Sequence, residues 1–181
     1  MPSKNKQLKY IVHLRPVKQS KMKEITLQIK FTEYEAANLL PAKENSLIMK
    51  AREAARNAYA PYSGFRVGAA VLLGNGVIVT GNNQENAAYP SGLCAERTAL
   101  FYASAQYPKV PVVAIAISTI NRTATPTDVA KPCGACRQVM AEYEDIAGNP
   151  IQIILDSTDS VLILNGIDSL LPLRFKKEDV K

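Results

Sequence analysis

The sequence predicts an α/β fold, a mixed sheet with helices on its faces, preceded by a basic, β-rich N-terminal extension. Three observations carry this expectation. Apolar spacing alternates between helical and strand periods in the order helix, hairpin, helix, strand, helix, strand, strand. Gly74-Asn-Gly76 separates two apolar runs, a strong hairpin signal. Residues 112–119 are apolar at nearly every position, as expected of a strand covered on both faces.

The elements follow in order. Leu8, Tyr10, Val12 and Leu14 alternate with polar or smaller residues, as do Ile25, Leu27, Ile29 and Phe31, so two half-buried strands joined by a polar loop are expected. Thr32-Glu-Tyr-Glu35 has capping-box spacing and predicts the start of a short helix. Pro41 marks a break, dividing an extension of residues 1–42 from a main domain of residues 43–181. Residues 42–58 are rich in helix formers, with Leu47, Ile48, Ala51, Ala55 and Ala58 on one face, and Pro61-Tyr-Ser-Gly64 ends them. Residues 66–73 and 77–82 form the hairpin strands. Helices are expected over about 94–106 and 133–143, a polar loop over 121–131, and strands near 151–155 and 161–164.

Composition excludes several classes. The 181 residues are 47% hydrophobic and 21% charged, an ordinary globular balance. A chain of this length buries roughly 70% of its unfolded surface, so it needs neither disulfides nor a structural metal merely to fold. The longest apolar stretch, residues 110–117, is far short of the ~20 residues that span a bilayer. No apolar run follows the first residues as a secretory leader would have, so a reducing cytosol is the expected compartment. Eight of the 22 basic residues fall within residues 1–30 against the single acid Glu24, leaving fourteen basic and fifteen acidic residues in the rest. The charge is a property of the arm. No basic stripe interleaved with aromatics continues into the body, so a solvated arm is favoured over a nucleic-acid groove.

The three cysteines lie in two short signatures, Cys94-Ala-Glu96 and Pro132-Cys-Gly-Ala-Cys136, each at an expected helix start. Unpaired N–H groups and the positive end of the helix dipole favour thiolate there. Cys133 and Cys136 can hold one metal from a single turn, and Cys94 closes the set from another helix. Three protein ligands leave the fourth tetrahedral position of a zinc ion open, the mark of a catalytic site. The only histidine, His13, sits in the alternating pattern of the arm and reads as a strand residue. Glu96, in the same first turn as Cys94, approaches the open position without being a ligand. There it can take a proton from water and pass it to a leaving group. The competing accounts are buried structural thiols and a helix-start acid favoured by the dipole. The joint spacing favours the metal.

These signatures resemble those of the zinc-dependent cytidine deaminases, specifically the small homotetrameric three-cysteine type. The likeness extends through Ala60-Pro-Tyr-Ser-Gly-Phe-Arg-Val-Gly-Ala-Ala70, Gly81-Asn-Asn-Gln-Glu-Asn-Ala-Ala-Tyr89, Cys94-Ala-Glu-Arg-Thr-Ala99, Pro132-Cys-Gly-Ala-Cys-Arg-Gln138 and the closing Leu170-Leu-Pro-Leu-Arg-Phe175. It implies a three-layer fold with a mixed five-stranded sheet and helices on both faces. It implies zinc on Cys94, Cys133 and Cys136, with Glu96 as proton shuttle. The N–H of Ala95 would bind the pyrimidine O2, Asn83 and Glu85 the ribose hydroxyls, and Phe65 the base. Phe175 and Tyr89 would reach in from neighbouring subunits of a homotetramer with shared sites. For Phe65 and Phe175 the other reading is core packing; for Asn83 and Glu85 it is turn chemistry after a strand.

Arg97 would donate to the ligand sulfurs, and charge gives a reason. Three thiolates on one zinc ion sum to −1, and a guanidinium beside them keeps the metal a competent Lewis acid. The reaction implied is hydrolytic deamination of cytidine and 2′-deoxycytidine to the uridine products and ammonia, with a free nucleoside as partner and neither membrane nor nucleic acid. The alternatives are a deaminase of another nucleoside-like compound or of polynucleotide cytosine, and a non-catalytic zinc protein that binds nucleic acid through its arm. The chain departs from the family pattern in the long arm, in Gln84 where an aliphatic residue is usual, and in Lys131 before Pro132 where a small one is usual.

Overall fold

A computed structural model describes residues 22–120, 129 and 131–180. The strand expected over residues 8–14, with His13, and nearly all of the 121–131 loop lie outside the described residues. The strands are β1 (Thr32–Tyr34), β2 (Arg66–Leu73), β3 (Ile78–Asn82), β4 (Val112–Ile120), β5 (Gln152–Asp156) and β6 (Val161–Asn165). The helices are α1 (Ala42–Arg56), α2 (Ala95–Gln106) and α3 (Gly134–Ala147).

One six-stranded sheet runs in the order β1-β6-β5-β4-β2-β3. Of the strands among the described residues, only β4 and β5 pair in parallel, and the chain between them carries α3, as a crossover requires. Side chains alternate across the sheet. Ala70 and Leu72 of β2, Ala114 and Ala116 of β4 and Ile154 of β5 meet Leu47, Ile48 and Ala51 of α1 on one face. Ala69, Val71, Ile115, Ile117, Ile153 and Leu155 meet Ala99 and Leu100 of α2 and Met140 and Ala141 of α3 on the other. This is the three-layer arrangement expected.

The sheet has six strands, not five, and the extension supplies the sixth. Residues 32–34, expected to open a helix, instead pair antiparallel with β6, Thr32 opposite Ile163 and Tyr34 opposite Val161. The helical turn comes later and is short, at Ala37–Leu39. Capping-box spacing is a local signal; pairing with a strand some 130 residues away answers to β6, and it lets Tyr34 pack on the buried cluster that contains Val161. Residues 25–31, expected as a strand, carry no assigned strand, and Ile25, Leu27, Ile29 and Phe31 are exposed.

The hairpin turn forms as predicted, with Gly76 at φ 84 and its N–H donating to the carbonyl of Leu73. Gly81 of β3 seats the first turn of α2. A Cβ there would lie 2.5 Å from the Ala99 nitrogen and 2.9 Å from the Ala95 carbonyl oxygen. Only a residue without a side chain lets that turn rest on the sheet. Among the described residues no helix is long and apolar enough to cross a membrane.

Candidate active site

Cys94 and Cys133 are the residues that immediately precede α2 and α3, both with extended backbone and neither capped by a side chain. The free N–H groups of two helix starts therefore flank the sulfurs. Cys136 lies one turn into α3 and is buried. The Sγ atoms of Cys94 and Cys133 are 3.8 Å apart and those of Cys133 and Cys136 are 3.5 Å apart, with all three inside 4.8 Å of one another. A zinc ion with Zn–S bonds of about 2.3 Å in a tetrahedron spaces its sulfurs by about 3.8 Å. The cluster fits that ion without rearrangement.

Its electrostatics also call for a cation. The Cys136 thiol donates to Cys94, and Arg97 and Cys133 add to this, so the Cys94 thiol is pulled down to about 5. Cys136 is pushed up by that interaction with Cys94 and by burial. Cys94 and Cys136 thus compete for a proton in one small volume, and a divalent ion takes the place of thiol protons. Arg97 Nη2 donates to Cys94 Sγ at 3.4 Å. Its Nε is buried and makes no hydrogen bond. The guanidinium is thus held against the Cys94 sulfur.

Glu96 is 4% exposed, one residue into α2. Burial pushes its carboxyl up from the ordinary glutamate range, and the negative Cys94 beside it adds to the rise; Cys136 hydrogen-bonds to it. A buried carboxyl beside the sulfurs, with a raised proton affinity and no salt bridge among the described residues, has the character of a group that gives and takes protons. Ala95 is fully buried at the first position of the helix, where an N–H has no partner within the helix.

The expected sugar-binding pair is found binding its own chain. Asn83 Oδ1 accepts from the Val67 N–H at 2.8 Å, and its Nδ2 donates to the Phe65 carbonyl at 2.9 Å. Glu85 accepts from the Tyr62 and Ser63 N–H groups at 2.8 and 3.3 Å and from the Ser63 hydroxyl. The Ser63 hydroxyl, followed by these amides, holds its carboxyl below the usual glutamate value. Each side chain keeps unused capacity: one N–H and one lone pair on Asn83, and one acceptor site on the Glu85 carboxylate. Turn chemistry and ligand binding are compatible here.

Core packing within the chain does not account for the aromatics. Phe65 is 44% exposed, Phe175 62% and Tyr89 76%, and Tyr89 meets only the edge of Tyr62, with ring centres 6.3 Å apart. Residues that sequence reasoning missed include Ser63, whose segment read only as a helix stop, and the pair that ties the last segment to α3. Arg137 Nη1 donates to the Leu170 carbonyl at 2.8 Å, and Gln138 Nε2 to the Phe175 carbonyl at 3.0 Å. Their positions next to Cys136 were the available signal. Gln84 turns its amide to Asn82 Oδ1, and its backbone pairs with Leu93, so it stiffens the strand end leading to Cys94.

Comparison with known proteins agrees with this geometry. The family model for the cytidine and deoxycytidylate deaminase zinc-binding region matches residues 41–147. The cytidine deaminase of Halalkalibacterium halodurans is 41% identical over 134 residues, 74% of this chain and 95% of that protein. The probable cytidine deaminase of Dictyostelium discoideum is 36% identical over 136 residues, 72% of this chain and 85% of its own. The crystal structure of cytidine deaminase from Burkholderia pseudomallei shares 39% identity across 72% of this chain and 97% of that one, with a TM-score of 0.62. Three sulfurs spaced for zinc beside a buried glutamate are thus found in a chain that belongs to the cytidine and deoxycytidylate deaminase family.

Proposed function

We propose that this chain is an enzyme that hydrolyses the 4-amino group of cytidine and 2′-deoxycytidine, giving uridine or 2′-deoxyuridine and ammonia, a pyrimidine-salvage reaction. The observation that carries the reading is the buried Glu96 immediately beside three sulfurs spaced for one zinc ion. Cys94, Cys133 and Cys136 hold the ion, which when bound supplies Lewis acidity that makes water a nucleophile near neutral pH. Glu96 takes a proton from the water that attacks C4 and delivers it to ring N3. It then carries the second proton to the exocyclic nitrogen, so the C4–N bond breaks, ammonia leaves and the C4 carbonyl forms. Arg97 keeps negative charge on the sulfurs from weakening the metal.

Substrate is held by the chain's remaining polar capacity. The Ala95 N–H binds the pyrimidine O2, and Asn83 and Glu85 bind ribose hydroxyls through the sites their internal bonds leave free. Phe65 lies against the base. Tyr89 and Phe175 enter sites of neighbouring subunits in a homotetramer. Their exposure in the single chain supports this, since large aromatics left in water on one protomer are accounted for by a second. In this reading residues 43–181 are the catalytic domain, residues 1–42 an addition to it, and the cytoplasm its compartment.

The test is a turnover assay with zinc quantified in the same sample, using cytidine, 2′-deoxycytidine and a single-stranded cytosine oligonucleotide. Uridine and ammonia from the nucleosides at about one zinc per chain are expected. Metal-loaded protein that releases no ammonia from either nucleoside would overturn the proposal.

A further inference from the structure

The mechanism makes no use of Arg174, yet its side chain is 7% exposed and heavily engaged. Nη1 donates to the Ala141 carbonyl and Nη2 to Asp145 Oδ1, both at 2.9 Å; Nη2 also lies 3.8 Å from Glu144 Oε1, and Nε pairs by charge with Asp168 Oδ1 at 2.9 Å without hydrogen-bond geometry. One guanidinium thus ties the closing segment both to the middle of α3 and to the turn before that segment. Its neighbours behave in the opposite way. Leu173 is almost fully exposed, and Phe175 presents most of its ring to water.

Leu173 has φ 57, the only non-glycine residue of positive φ among those described. Such a conformation persists only where the surroundings hold it. The Leu173 side chain is almost wholly exposed, so among the described residues the hold comes from the bonded residues on either side of it, Arg174 foremost. The same segment is pinned twice more to α3, at Leu170 by Arg137 and at the Phe175 carbonyl by Gln138. Those two donors directly follow the zinc ligand Cys136.

We propose that Arg174 is a positioning residue that locks the closing segment onto α3, fixing the direction in which Phe175 projects from its own subunit toward a neighbouring site. The inference rests on the reading that Phe175 contacts substrate. The segment turns at Leu173, and without the guanidinium anchor that turn relaxes and the ring leaves its position.

The experiment is a double-mutant cycle on the zinc-loaded full chain with Arg174→Ala, Phe175→Ala and the pair, reading kcat and KM for cytidine. Phe175→Ala is expected to raise KM about tenfold with kcat within about threefold, Arg174→Ala to do much the same, and the double variant to be no worse than Phe175→Ala. Asp145→Ala removes one of the contacts to α3 while leaving Ala141 bonded and Glu144 paired, and should shift KM in the same direction by less. It serves if Arg174→Ala does not fold. Effects of Arg174 and Phe175 that multiply, or a KM untouched by both Arg174→Ala and Asp145→Ala while Phe175→Ala raises it, would overturn the positioning role alone. A KM unmoved by Phe175→Ala would remove both this inference and the substrate contact assigned to Phe175, and leave the deamination reading standing.

Discussion

Arg97 Nη2 lies 3.4 Å from Cys94 Sγ, three residues away on the first turn of α2, so the helix that supplies a zinc ligand also supplies the cation that balances it. The i to i+3 spacing brings the two side chains together on one helix face. Arg97→Ala is expected to weaken zinc retention or lower activity by about 10- to 100-fold, the usual effect of removing a group that orients a metal ligand. Competition with a chelator, followed alongside turnover, measures it. Unchanged metal affinity together with unchanged turnover would make Arg97 a bystander.

Glu96→Gln keeps the size of the side chain and removes the proton carrier. Zinc content should stay at the wild-type level while kcat falls by about 10²- to 10⁴-fold. Normal turnover at full metal content would discard the proton route described above.

On the far face of the sheet, Arg52 of α1 grips Asp156 at the end of β5 through two bonds of 2.7 Å, and Ser118 of β4 donates to the same carboxylate at 2.7 Å. Asp156, through its side-chain hydrogen bond to Arg52, raises the affinity of the guanidinium for its proton. Removing the arginine leaves a buried carboxylate with one donor. Arg52→Ala should cost about 2 kcal/mol of stability, the low end for a buried pair because Arg52 keeps about a third of its surface in water. Ser118→Ala should cost about 1 kcal/mol. Thermal unfolding checks both, and an unchanged Tm would show that the pair merely breaks even with solvent.

Gly81→Ala inserts a Cβ into the backbone of α2 at 2.5 Å from Ala99. The helix must move, and Cys94 moves with it. A loss of about 3 kcal/mol is expected, accompanied by weaker zinc binding. Denaturant unfolding and zinc titration of the same sample would detect both. A variant that lost stability but kept its metal affinity would mean that α2 pivots about its first turn.

The Ser63–Glu85 contact gives a pH-dependent prediction. Glu85 is held below its ordinary value, so the order it gives to the 62–65 turn is complete above the usual carboxylate range. That order is lost as pH falls through the lowered folded value. In Ser63→Ala the Glu85 titration midpoint, followed by carboxyl NMR, should move up toward the free-glutamate value of about 4.3. A midpoint that stays where it was would assign the lowering to the backbone amides alone.

Most of the fold and the metal centre were legible because they are written in short spacings. Leu47, Ile48, Ala51 and Ala55 mark one helix face, Gly74-Asn-Gly76 a turn, and Pro132-Cys-Gly-Ala-Cys136 a single turn that presents two sulfurs. Local geometry enforces such patterns whatever lies across the core. Residues 32–34 were misread for the complementary reason: the hydrogen bonds that make them β1 come from β6, at the other end of the chain.

The residue types of the site, the helix starts that carry them and the order of elements along the chain are legible in short spacings, since each follows from neighbours within a turn or a strand. That Cys94 meets Cys133 at 3.8 Å, that Asn83 and Glu85 brace the 62–67 segment, and that Arg174 clamps the closing segment to α3 follow from how the elements pack together. Those contacts join residues 16 to 39 positions apart. Their free energy comes from packing and paired charge across the sheet, which a local pattern does not encode.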